Sequence, residues 1–276
     1  MISFWKMHGL GNDFMVIETM TQSYTPNPIQ INQWANRHTG VGFDQLLLIT
    51  PAPDDKSDFG YQIFNADGSE SGQCGNGARC IGKFIFDNRL SNKKTLTLAT
   101  KTGHMQIHMS EHGDISAGLG IPKFDPQDIP LRSAKSHSPY TLNIDDEDIS
   151  FNAVNVGNPH ITITVDSIDD APVEQLGPKL ESHLQFPERT NVGFMQIIDP
   201  HHIQLRVYER GAGETLACGS GAAAAAVIGI TNKQLKSPVT ASLPGGNLLI
   251  SWDNPNSPVW LSGPAISVFH GKISNQ

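Results

Sequence analysis

Cys74-Gly75-Asn76-Gly77-Ala78 recurs 144 residues later as Cys218-Gly219-Ser220-Gly221-Ala222. Glu70-Ser71 precedes the first cysteine at the offset at which Glu214-Thr215 precedes the second. Each copy follows a run of strand-like alternation, Tyr61-Gln62-Ile63-Phe64-Asn65 in one and Leu205-Arg206-Val207-Tyr208-Glu209 in the other. Each also opens into a helical pattern, which puts both cysteines at or just before a helix N-terminus.

Further pairs keep the same order along the chain. Gly11-Asn12 answers Gly157-Asn158, Gly40-Val41-Gly42-Phe43 answers Asn191-Val192-Gly193-Phe194, and Thr102-Gly103-His104 answers Gly245-Gly246-Asn247. The partners lie roughly 140 to 150 residues apart, about half the chain, so one supersecondary plan is expected twice. Each half reads as strand, Gly-Asn turn, strand, short helix, strand, cysteine loop, long helix and closing strands. Helices are expected near Ile29–Arg37, Gly77–Asn88, Glu174–Leu184 and Ser220–Ile230. Strands dominate without βαβ alternation. The predicted class is therefore α+β: two pseudo-symmetric lobes from an internal duplication, each a curved, mostly antiparallel sheet around a central helix. Residues 1–118 with 264–276 should form the lobe carrying Cys74, and residues 119–263 the lobe carrying Cys218, with the active site in the cleft between them.

Composition narrows the function. The chain has 276 residues and a formal net charge of -8, and Lys93-Lys94 is its densest basic run, so a nucleic-acid footprint is missing. The longest small-apolar stretch, Ala222–Ile230, is too short to span a bilayer, and Met1–Lys6 lacks the features of a secretory leader, so a cytoplasmic protein without a membrane partner is expected. Three cysteines fit reduced thiols better than a disulfide framework.

A thiol at a helix N-terminus meets backbone N–H groups and the positive end of the helix dipole, which favour thiolate and can also hold a carboxylate. Two such thiols on opposite sides of one molecule suit inversion at a carbon acid. One thiolate removes a proton from one face while the opposing thiol delivers another, each roughly 3 to 3.5 Å from the α-carbon. The N–H groups of Gly75, Asn76, Gly219 and Ser220 would take up charge that develops on the α-carboxylate. Considered alone, a cysteine among glycine and alanine is most often a small buried hydrophobe; repetition at matched sites turns the reading toward Cys74 and Cys218. Cys80 has Ala224 at the matching place and reads as core.

Lys6-Met7-His8-Gly9-Leu10-Gly11-Asn12-Asp13-Phe14, Asn65-Ala66-Asp67-Gly68-Ser69-Glu70, Cys74-Gly75-Asn76-Gly77-Ala78-Arg79-Cys80, Gly157-Asn158-Pro159-His160 and Glu209 to Gly221 resemble the diaminopimelate epimerases over nearly the whole chain. The resemblance implies interconversion of LL- and meso-diaminopimelate for lysine and peptidoglycan precursors, by a homodimer without metal or organic cofactor. It makes Cys74 and Cys218 the catalytic bases and His160 and Glu209 the groups that tune them. It carries substrate binding onto Asn12, Gln45, Asn65, Gly75, Asn76, Asn158, Asn191, Glu209, Arg210, Gly219 and Ser220. Arg210 suits a distal carboxylate and Glu209 a distal ammonium.

Other motifs fail. Gly9-x-Gly11 lacks the third glycine and βαβ context of a dinucleotide fingerprint, and His201-His202 lacks metal-ligand spacing. Two rivals remain: a related racemase acting on proline, hydroxyproline or histidine, which would leave Arg210 without a purpose, and a thiol redox sensor, which would leave the anion-binding glycines unexplained.

Overall fold

The computed structural model describes residues 1–274 except Gln73 and His112. The chain divides into two compact units, Met1–Gly118 with Ser262–Gln276, and Leu119–Leu261.

The first unit runs β1 (Ile2–Gly9), β2 (Asn12–Glu18), α1 (Pro28–Ala35), β3 (Gln45–Pro51), β4 (Phe59–Asn65), β5 (Glu70–Ser71), α2 (Gly75–Asp87), β6 (Thr95–Thr100), β7 (Gly103–Met109) and β8 (Ile115–Gly118). The second follows as β9 (Tyr140–Ile144), β10 (Glu147–Asn155), β11 (Pro159–Thr164), α3 (Val173–Glu181), β12 (Asn191–Asp199), β13 (His202–Glu209), β14 (Gly213–Thr215), α4 (Gly219–Thr231), β15 (Val239–Leu243), β16 (Gly246–Ser251) and β17 (Trp260–Ser262). The C-terminal β18 (Ile266–Ile273) pairs antiparallel with β1 and completes the first unit.

The pairings repeat strand for strand. β1–β2 and β10–β11 are antiparallel hairpins, β2–β3 and β11–β12 are parallel, β3–β4 and β12–β13 are antiparallel, and β4–β6 and β13–β15 are parallel. β18 flanks β1 as β9 flanks β10. The turn glycines keep the same unusual backbone: Gly103 has φ +130° and Gly246 φ +131°, a region that side chains with a Cβ rarely enter. One sequence match is corrected. Gln45 pairs with Phe14 across β2–β3 as Asn191 pairs with His160 across β11–β12, so Gln45 and not Gly40 is the counterpart of Asn191. Gly40-Val41-Gly42-Phe43 lies in the loop before β3, and its likeness to Asn191–Phe194 is out of register.

Period-2 alternation explains how each sheet is covered on both faces. Phe14, Met15, Val16 and Ile17 of β2 are all buried, the mark of a strand without a wet side. Met15, Ile17, Leu46 and Leu48 join Ile31 and Trp34 of α1 in one core cluster, while Leu47 faces Gly77 of α2. In the second unit Phe151, Ala153, Ile161, Val192 and Phe194 pack with Val173 and Leu180 of α3. α4 is buried from Gly221 to Gly229 with alanine, glycine, valine and isoleucine on every side, which fits a helix enclosed by sheet. The four helices lie within a few residues of their expected limits. No helix among the described residues is long and apolar enough to cross a membrane.

Candidate active site

Cys74 is the N-cap of α2, with extended backbone (φ -147°, ψ 109°), and its sulfur accepts the Gly77 N–H at 3.3 Å. The Tyr61 hydroxyl donates to the Cys74 carbonyl oxygen at 3.3 Å, which ties β4 to the first turn of the helix. Gly77 is required there, because a Cβ would fall 2.3 Å from the Tyr61 oxygen. Asn12, at the β1–β2 turn, presents Oδ1 to the Cys74 thiol at 3.9 Å and to the Asn76 amide at 3.4 Å. Its own Nδ2 donates to Asp44 at 3.0 Å, which fixes the orientation of the amide.

Asp44 belongs to a charge cluster that anchors this turn. Arg37 bridges Asp13 and Asp44, each at 2.7 Å, and Lys6 contacts both Asp13 and the Gly42 carbonyl. Burial alone would raise the Asp13 carboxyl; hydrogen bonds and charge from Arg37 and Lys6 outweigh it and bring the group down to about 2. Beyond the cysteine, Gln45 donates to Asn65 at 3.0 Å and Asn65 to Ser69 at 3.0 Å, a polar row at the ends of β3 and β4.

The second unit repeats the plan with different chemistry. Cys218 is the N-cap of α4, extended at φ -102° and ψ 104°, with the Ser220 hydroxyl 3.7 Å from its sulfur. Burial pushes this thiol well above its ordinary 9.0, and the Glu209 carboxylate raises it further; the Gly221 N–H and Ser220 pull the other way and do not win. A helix N-terminus favours a thiolate, and at Cys218 that pull is outweighed. Desolvation of a fully enclosed sulfur beside a carboxylate exceeds the help of the first-turn amides.

His160 is buried next to Pro159, and its Nε2 donates to Asn158 Oδ1 at 3.0 Å. Burial lowers it to about 3, with the Arg210 charge acting in the same direction, so the ring is neutral at physiological pH. Asn191 is buried and spans the ends of two strands, donating to the Pro159 carbonyl at 2.8 Å and accepting the Arg210 N–H at 3.0 Å. Arg210 is exposed, and one guanidinium nitrogen donates to the Glu188 carbonyl at 3.0 Å. Glu209 accepts the Thr215 hydroxyl.

Each unit therefore gathers its own share of the expected residues: Asn12, Gln45, Asn65, Cys74, Gly75 and Asn76 in the first, and Asn158, His160, Asn191, Glu209, Arg210, Cys218, Gly219 and Ser220 in the second. Sequence reasoning missed the groups behind them. Lys6, Asp13, Arg37 and Asp44 hold the Asn12 turn, and buried Glu181 accepts the Gly211 N–H at 3.0 Å and so holds the loop after Arg210. Of these, only Lys6 and Asp13 had a signal, as opposite charges flanking a Gly-Asn turn. Among the described residues, no three His, Cys, Asp or Glu side chains group so as to hold a metal ion.

The model of the family described as diaminopimelate epimerase matches residues 4–124 and 152–268. Diaminopimelate epimerase of Nitrosomonas europaea is 50% identical over 272 residues, covering 99% of this chain and 98% of that protein. The Nitrosospira multiformis enzyme of the same name is 48% identical over 275 residues, covering 100% and 99%. Among solved structures, a probable proline racemase from Agrobacterium radiobacter superposes with a TM-score of 0.72 at 11% identity, covering 100% of this chain and 94% of that one. A PhzF-family phenazine biosynthesis protein from Bacillus anthracis gives 0.68 at 16% identity, covering 99% of each. At such identities these two establish the fold alone.

Proposed function

Because this chain belongs to the diaminopimelate epimerase family, we propose that its two repeated cysteines act as base and acid on opposite faces of one α-carbon. The chain is an isomerase that interconverts LL- and meso-2,6-diaminopimelate in lysine biosynthesis. The observation that carries the mechanism is that the Cys-Gly-x-Gly-Ala motif repeated in both units places a cysteine at a helix N-cap each time.

Cys218 is held as a thiol by burial and by Glu209, so it is the proton donor of the pair, and Cys74 is the acceptor. The thiolate takes the α-proton, the electron pair passes onto the α-carboxylate, and the opposing thiol returns a proton to the other face. First-turn N–H groups of a helix have no intrahelical acceptor, and those of α2 and α4 would take up the charge that develops on the carboxylate. Neutral His160 keeps positive charge away from a thiol that must stay protonated. Asn12, Gln45, Asn65, Asn158 and Asn191 supply neutral hydrogen bonds to the substrate or orient groups that do. Arg210 meets the distal carboxylate and Glu209 the distal ammonium.

The same reading includes a homodimer and a cytoplasmic location. Ile266, Val268 and Phe269 of β18 are 45%, 55% and 48% exposed, a cluster of large apolar side chains that a second subunit would cover. A chain with three cysteines suits a reducing compartment better than a disulfide framework.

Replacement tests the assignment. Cys74→Ala and Cys218→Ala should each abolish epimerisation while the circular dichroism spectrum is kept, and Cys80→Ala should be nearly silent. Substantial turnover in either of the first two would overturn the two-base reading.

A further inference from the structure

Arg79 is the largest fully buried side chain among the described residues. It projects from the second turn of α2, where Nη2 donates to Asn76 Oδ1 at 2.9 Å and Nη1 to the Gly75 carbonyl at 3.4 Å. Its Nε has no hydrogen-bond partner. No described carboxylate contributes to its electrostatics; the groups that favour its charge are Cys80 and Cys74. A buried guanidinium without an anion is costly, and an anion beside it recovers part of that cost. Cys80 does not supply one, because burial pushes it up to about 12, with Arg79 opposing and Cys74 adding to the rise. Tyr61, which reaches Cys74 from β4, is likewise kept neutral, its hydroxyl raised well above 10.0 by burial and then by the two cysteines. Asn12 is uncharged. Of the two thiols whose charge would favour the guanidinium, burial holds Cys80 neutral; Cys74 is the other, and it caps the helix that carries Arg79.

The duplication sharpens the point. At the spacing that relates Cys74 to Cys218, Arg79 corresponds to Ala223, Cys80 to Ala224 and Asn65 to Glu209. Ala223 is wholly buried. One copy thus places a buried cation one turn beyond its cysteine, and the other places a carboxylate against its own. We propose that Arg79 is a positioning residue that holds Cys74 in the thiolate state from inside α2, so that the two repeat cysteines are set apart as base and acid before substrate arrives. The guanidinium also fixes the Asn76 amide, whose Nδ2 then points to Asn12 Oδ1 beside the sulfur. This role rests on the two-thiol reading above and supplies the source of its asymmetry.

The test reads thiol titration and needs no turnover. In a full-length Cys80→Ala, Cys218→Ser background, Cys74 is the sole thiol, and the pH dependence of its alkylation by iodoacetamide is followed by intact mass. Arg79→Gln can keep the hydrogen bond to Asn76 and removes the charge; the titration midpoint should rise by about one pH unit or more, so alkylation well below the midpoint should slow at least tenfold. Arg79→Lys keeps the charge and should titrate near the wild-type position. In a Cys74→Ser, Cys80→Ala background the Cys218 midpoint should not move with Arg79→Gln. An unchanged Cys74 midpoint in Arg79→Gln, or an equal rise in Arg79→Lys, would overturn the proposal. If Arg79→Gln does not fold, Arg79→Lys decides, since a raised midpoint with the charge retained assigns the effect to packing. Failure here would leave the epimerase assignment standing, and loss of that assignment would leave the titration result intact.

Discussion

Gly77→Ala is a substitution whose sign should oppose helix propensity. In an ordinary helix interior, alanine in place of glycine stabilises by about 1 kcal/mol. At Gly77 the new carbon would lie 2.3 Å from the Tyr61 hydroxyl oxygen and 3.2 Å from both methyl carbons of Leu47. Ordinary carbon contacts begin near ~3.5 Å, so the Tyr61 ring must retreat by about 1 Å inside a core where it is only 1% exposed. Overpacking of this kind costs about 1–3 kcal/mol, and a buried hydroxyl parted from the Cys74 carbonyl costs about 1–3 kcal/mol more. The net expectation is a loss of about 3 kcal/mol, which lowers Tm by about 6–12 °C for a chain of this size. Epimerisation should fall as well, because the Gly77 N–H contacts the Cys74 sulfur at 3.3 Å. Differential scanning calorimetry beside a turnover assay measures both. Gly103→Ala is the contrast: no atom lies within 4 Å of its Cβ position, so its cost is confined to a backbone at φ +130°. A Tm for Gly77→Ala equal to or above wild type would refute the packing argument.

Glu209→Gln should lower the Cys218 titration yet leave it above 9.0, because burial is the larger cause and the carboxylate the second; a midpoint below 9.0, read by alkylation with Cys218 as the sole thiol, would reverse that ranking. Asp13 titrates at about 2 when folded against an ordinary 3.8, so its contribution is complete above pH 3.8 and disappears as pH falls toward 2. With solvent screening at the exposed Arg37, Asp13→Asn should cost about 1 kcal/mol at pH 7 and nearly nothing at pH 2, read from urea midpoints; an equal cost at both pH values would remove the ion pairs from the explanation. Arg210→Met should lose most turnover of diaminopimelate while its thermal midpoint stays within a few degrees of wild type. Wild-type protein should ignore lysine, which lacks the distal carboxylate, and efficient racemisation of lysine would deny Arg210 its role.

The fold was legible because the chain states its plan twice. Cys74 and Cys218, Gly11 and Gly157, and Gly103 and Gly246 sit at equivalent turns, and such turns are set by local backbone demands that sequence records. The false match of Gly40–Phe43 with Asn191–Phe194 arose because a short glycine-containing string carries little register information; strand pairing fixes register, and that is non-local. Both cysteines were legible as helix caps, whereas the state of Cys218 was not. Its thiol is raised by enclosure and by Glu209 on β13, and neither can be read from the residues beside it. Arg79 resembles a surface arginine in sequence, and only the sheet wrapped around α2 makes it a buried cation.

Incubation of LL-diaminopimelate in heavy water tests the two-thiol mechanism most directly. A solvent-exchanged thiol delivers the new proton, so meso product should carry deuterium at the inverted α-carbon from the first turnover, with the substrate proton lost to solvent. Meso product that retains the original proton in full would demand a single shielded base and would contradict the assignment of Cys74 and Cys218 as an opposed pair.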